Sequence, residues 1–283
     1  MKKNILTTTL AACLIATACL FLAACGSSGK NREDNKSKEP APLNISIILD
    51  LSDRITRDNV TPSQTYRDTA IVAYIADWFK DKTIGPQILK SENKIKVFFY
   101  PLPRNSEIAT LAEGLSLDMA ELKLADRRKN LETMKATFMG NLSQIYRETL
   151  EERHFIGCDI WDFFSSRKVD QLCVKPHARN IVVILTDGYL FQADHKLKEG
   201  DAYSYVLPQT LAVPNSSLIV RRKGLENLEV LMLEINPHHP DQRDRLVEVL
   251  EKWFADMGVR KFTVAETDVT TNTKTVIKNF LKD

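Results

Sequence analysis

Asp50, Ser52, Asp53 and Arg54 stand at the end of an apolar, β-branched run, NISIILDLSDRIT at residues 44–56. Two carboxylates, a hydroxyl and a guanidinium so close together are of no use to a buried strand, so the run either ends in a solvated turn or presents a site. A second apolar run, RNIVVILTDG at 179–188, ends in Thr186, Asp187 and Gly188, and between the two Gly157-Cys158-Asp159 adds another carboxylate. Oxygen donors of this kind suit a hard divalent cation, which takes carboxylates for charge, hydroxyls as neutral ligands and waters for the rest. An open coordination position on such a cation accepts a partner's carboxylate, which is recognition chemistry with no nucleophile or proton shuttle. Arg54 complicates the set, because a guanidinium beside carboxylates pairs with them bidentately. Taken singly, Asp-x-Ser suits a cap or turn and Thr-Asp-Gly a turn. Two of them, each after a buried strand, favour a site.

The elements that must position these residues follow from periodicity. Ile45–Leu49 is apolar almost throughout, as a strand covered on both faces requires. Helical spacing runs from about Pro62 to Phe79, through Ile71, Ile75, Trp78 and Phe79. Ile95–Tyr100 is a strand stopped by Pro101 and Pro103, and helices are expected at about 108–124 and 130–152. Strand-like runs at 179–188, 230–235 and 261–265 alternate with helices at 241–257 and 275–281. This alternation predicts an α/β fold: a doubly wound, mostly parallel sheet with helices on both faces, in which ligands bind beyond the carboxyl ends of the strands. Asp50 and Asp187 both stand at such ends. The segment from about 189 to 225 is long for a connection and reads as an insertion above the sheet, with a small hairpin within 202–220.

In this order the three loops resemble the von Willebrand factor A (vWA) domain, over about residues 43–283, with its specific part the pairing of ILDLS with VVILTDG. The resemblance implies a Rossmann-like three-layer sandwich and a metal-ion-dependent adhesion site. It assigns metal ligation by Mg²⁺ or Mn²⁺ to Asp50, Ser52, Asp159 and Asp187, and places Asp53, Arg54, Thr186 and Gly188 at the rim or against a protein partner. Arg54 stands where that motif has its second Ser, and Asp159 where it has Thr. Two readings follow: Asp159 compensates for the lost hydroxyl, or Arg54 fills the cation's place and the site is metal-free.

Enzymatic readings lack their usual supports. His154, His177, His195, His238 and His239 show no HExxH spacing, and no GxGxxG, Walker A or GxSxG motif occurs. A phosphatase of the haloacid dehalogenase type also places Asp after its first strand, but needs a second Asp two residues on as acid/base, where Ser52 stands. The expectation is a binding protein. The alternative to an adhesion site is a metal-free scaffold.

The N-terminus bears on location. Lys2 and Lys3, an apolar stretch from about Leu10 to Leu22, and Leu22-Ala23-Ala24-Cys25 read as a lipoprotein signal over residues 1–24 with Cys25 lipidated. Gly26 is not the Asp of inner-membrane retention, so an outer-membrane anchor through the N-terminal lipid is expected. Residues 25–42 lack large apolar side chains and should form a flexible tether. Without Lys2 and Lys3 the chain carries 37 basic and 37 acidic residues, a balance that gives no footprint for nucleic acid. The partner expected is a protein of the cell envelope. Cys158 and Cys173 form either a disulfide or two buried thiols.

Overall fold

Seven consecutive residues, Leu43–Leu49, are buried and form β1, the central strand. Their alternation sends Ile45, Ile47 and Leu49 into one core layer and Ile48 into the other, so both faces of the sheet are covered. The computed structural model describes residues 40–56, 61–188, 197–199, 202–204, 220–236 and 243–282. Ala41–Asp283 forms one compact unit. After β1 come a one-turn 3₁₀ helix at Asp53–Thr56, α1 at Gln64–Thr83, β2 at Lys94–Phe98, α2 at Ser106–Glu113 and β3 at Ser116–Asp118. Next are α3 at Arg127–Glu152, α4 at Ile160–Ser165, α5 at Lys168–Cys173 and β4 at Arg179–Leu185. The hairpin strands β5 (Leu197–Glu199) and β6 (Ala202–Ser204) precede β7 (Leu228–Ile235), α6 (Arg243–Asp256), β8 (Lys261–Glu266) and α7 (Thr270–Leu281).

The six-stranded sheet has the order β3-β2-β1-β4-β7-β8, parallel except for the β2–β3 pair. The expected α/β, mostly parallel sheet flanked by helices is therefore present. Helices α1, α3 and α7 pack with Ile45, Ile47 and Leu49 on one face; α4, α5 and α6 pack with Ile48, Val182 and Ile184 on the other. None of the described helices is long and apolar enough to cross a membrane.

Three expectations need adjustment. The helix expected at 108–124 ends at Glu113 and gives way to β3. Gly114 lies so close to α3 that a Cβ there would stand 2.5 Å from Asn141 Nδ2, and the following residues gain more by pairing with the exposed edge of β2. The last helix starts at Thr270, five residues before expectation, because Thr271 accepts from the Thr275 hydroxyl and Asn272 donates to Asp268, giving local partners to side chains that otherwise disfavour helix. The hairpin pairs Leu197–Glu199 with Ala202–Ser204, further upstream than the stretch expected to form it. Most of the expected insertion, His238 and His239, and the leader with Cys25 lie outside the described residues. Cys158 and Cys173 are both free thiols, buried in the core layer of α4–α6.

Candidate functional site

In this strand order the chain leaves β1 in one direction toward β2 and β3, and continues from β4 in the other toward β7 and β8, so the topological switch point lies between β1 and β4. Asp50 follows β1 and Thr186-Asp187 follows β4. The two loops are joined directly: Asp50 N–H donates to the Leu185 carbonyl at 3.0 Å, and the Thr186 hydroxyl donates to Asp50 Oδ2 at 2.8 Å. Asp50 Oδ1 accepts from the Ser52 N–H at 2.8 Å, and Ser52 Oγ accepts from the Arg54 N–H at 3.4 Å. Gly188 donates its N–H to Thr186 Oγ1; its φ of +93° and the 2.9 Å approach of Ile235 and Leu246 to any added Cβ leave room only for glycine.

The third loop docks against the first. Gly157 N–H donates to the Leu51 carbonyl, and Asp159 N–H to the Tyr100 carbonyl. Asp159 Oδ1 accepts from the Asp162 N–H at 2.9 Å, capping α4. Tyr100 donates its hydroxyl to Asp162 in a short bond, and burial, followed by that carboxylate, pushes the phenol up to about 12. Asp50 and Asp187 are buried, Ser52 and Asp159 half-buried, and Asp53 exposed. The sequence-predicted residues of the three loops thus meet at one edge of the sheet.

Arg54 points inward. Its side chain is 2 % exposed, and the buried strand ends hold it: Nε donates to the Asp50 carbonyl at 3.2 Å and Nη2 to the Leu185 carbonyl at 3.0 Å. The fork meets Asp68 of α1, with Nη2 2.6 Å from Oδ2 and Nη1 3.5 Å from Oδ1, while Nε lies 3.7 Å from Asp50 Oδ2. Burial opposes the guanidinium charge, but Asp68, Asp50, Tyr146 and Asp187 together raise its pKa above the usual arginine value. Burial raises the Asp68 pKa, and Arg54, Gln64 and Tyr146 oppose that rise.

Sequence reasoning missed the residues behind Arg54. Asp68 accepts from Tyr146 Oη at 2.8 Å and Gln64 Nε2 at 2.9 Å. Gln64 also reaches Glu234, which takes a bidentate pair from Arg67 at 2.7 and 2.9 Å. Glu234 sits in β7 at φ +69°, where the register with β8 shifts, and that irregularity turns its carboxylate toward α1. A signal for these residues existed. Gln64 and Asp68 continue the stripe of Ile71, Ile75 and Phe79 at helical spacing, and Glu234 interrupts the apolar VLMLEI run. A charge on a core-facing stripe needs a buried partner.

A divalent cation at this edge would need about six oxygens in near-octahedral array. Asp50 already divides its oxygens between the Ser52 amide and the Thr186 hydroxyl, a fixed guanidinium lies 3.7 Å from its carboxylate, and Asp159 caps a helix. Among the described residues no three His, Cys, Asp or Glu side chains are grouped so as to hold a metal. As placed, these oxygens are already engaged with other partners.

No protein-family model matches the chain, and no curated protein is similar to it. Among solved structures it is similar to the conserved hypothetical protein BatB from Bacteroides thetaiotaomicron, at 10% identity and a TM-score of 0.37, over 85% of this chain and 100% of that one.

Proposed function

We propose that this chain is a lipid-anchored protein of the cell envelope whose vWA-like domain recognises a protein partner at the β1–β4 edge of its sheet. The observation that carries the reading is the Thr186–Asp50 hydrogen bond at the switch point, which makes one site of two loops 136 residues apart. Ser52 and Asp53 lie at its surface, while the side chains beneath them are buried and hydrogen-bonded to one another, an arrangement suited to presenting a fixed surface. The reading assigns no catalytic residue, since Thr186, the hydroxyl that donates to the Asp50 carboxylate, is 0 % exposed and out of a substrate's reach. Attachment through Cys25 to the outer membrane rests on the Leu22-Ala23-Ala24-Cys25 pattern.

The test is photo-crosslinking in intact cells, with the crosslinking residue at Asp53 or, at the opposite end of the sheet, at exposed Glu226 before β7. A discrete protein adduct from the Asp53 position, absent from the Glu226 position, is expected. Equal adducts at both, or none at Asp53, would remove the reading. In the same cells Cys25→Ser should release the chain from the membrane fraction.

A further inference from the structure

We propose that Arg54 is the resident cation of this edge, with Asp68 as its counter-ion, and that recognition here is independent of divalent metal. The proposal deepens the reading of the β1–β4 edge as the recognition site and rests on it for that last consequence.

Four observations converge on Arg54. By the resemblance to the adhesion motif, it stands where a second hydroxyl is expected and offers a positive charge in place of a ligand. Its guanidinium does not turn to solvent; it lies under the site, within 3.7 Å of the Asp50 carboxylate. Its donors cover the carbonyls of Asp50 and Leu185, the terminal acceptors of the two strands that flank the switch point. Finally, Asp68 grips the fork from behind and is itself held by Tyr146 and Gln64, so the cation has a built seat. Among the described residues Arg54 is the cation that answers this fully buried carboxylate of α1.

The consequence is chemical. A metal offers an open coordination position that a partner's carboxylate completes, and chelation abolishes such binding. A guanidinium whose donors face two carbonyls and two carboxylates offers no such position, and chelators do not remove it. It holds the Asp50 carbonyl and lies beside its carboxylate, and Asp50 in turn holds the Ser52 amide and the Thr186 hydroxyl. Arg54 and Asp68 therefore act as positioning residues for the loops that meet the partner.

Three measurements test this, the first two of them on the full-length protein. The first is thermal unfolding after chelation, with Mn²⁺ then added. A site filled to a hundred times its Kd would raise Tm by roughly 5–10 °C for a domain of this size, whereas no rise is expected here. A rise of that order that Asp187→Asn abolishes would overturn the proposal. The second uses Arg54→Ser/Asp68→Asn, which restores the hydroxyl and removes the carboxylate that Arg54→Ser alone would strand. This variant is expected to acquire an Mn²⁺-dependent rise in Tm that the wild type lacks; a folded double variant indifferent to Mn²⁺ would count against Arg54 as the cation's substitute. If the double variant does not fold, the wild-type titration still decides. The Asp53 crosslink should survive chelation, and its loss on chelation would overturn metal independence. Absence of the crosslink with or without chelator, in a wild type indifferent to Mn²⁺, removes the partner reading and leaves the assignment of Arg54 standing.

Discussion

Arg54 and Asp68 form a pair whose exposures are 2 % and 0 %, so neither charge can fall back on water if the other is removed. Breaking a buried pair from one side costs about 3–5 kcal/mol, because the stranded charge remains buried. Arg54→Ala and Asp68→Ala should each destabilise the protein by that order in urea titrations. The double variant should lose clearly less than the two together, since one broken interaction would be counted twice. Additive losses would show that the pair is not a unit. Arg54→Lys keeps the charge but not the fork, and one ammonium cannot serve Asp68 and the carbonyls of Asp50 and Leu185 together. The two alternatives open for Arg54 in the sequence were both framed around Asp50, Asp159 and Asp187. Its principal partner, Asp68, belongs to neither, because which way a side chain leaves a 3₁₀ turn is set by what packs against it.

At the scale of elements, the edge is built by loops whose far ends are tied down elsewhere. Arg222, just before β7, clamps α5 with a bidentate pair to Asp170 at 2.6 and 2.8 Å and reaches the Phe164 carbonyl at the end of α4. The Arg222 hydrogen bond holds the Asp170 carboxyl below the ordinary carboxylate range. A folded-state pKa below the unfolded one gives stability that is complete above the ordinary carboxylate value and is lost as pH falls through the depressed one. Asp170 is over one-third exposed, so screening limits the contribution to under about 1 kcal/mol. Asp170→Asn should therefore be slightly less stable than wild type at neutral pH and converge with it in acid, measured by unfolding between neutral pH and pH 3. A gap that widens in acid would reverse the sign argued here. The strand–helix alternation was legible because period and composition are local properties. The premature end of α2 and the antiparallel β3 were not, because they depend on Gly114 meeting Asn141 and on an open edge beside β2.

Across the whole molecule, one core layer encloses both thiols of the described residues. Cys158 and Cys173 are 1 % and 0 % exposed; burial pushes the Cys158 thiol well up and the Cys173 thiol to about 12. Thiolate, the form that reacts, is thus scarce as well as enclosed. Alkylation followed by mass spectrometry should leave both unmodified in the native protein at pH 8 and modify both in denaturant, since reaching them requires the core layer of α4–α6 to open. Ready modification of Cys158 in the native state would show that the third loop opens independently. By itself the sequence determined that the fold alternates strands and helices, that Asp50 and Asp187 end two buried strands, and that their loops share one edge of a sheet. These follow from period two, period 3.6 and the rule that parallel strands present their carboxyl ends together. Only the tertiary structure decided what lies beneath that edge. Arg54 meets Asp68 across 14 residues, Leu185 across 131, and Arg67 meets Glu234 across 167. Pairings of that range are fixed by how α1 docks on the sheet and by the irregularity that turns Glu234, and no local pattern of residue types encodes either.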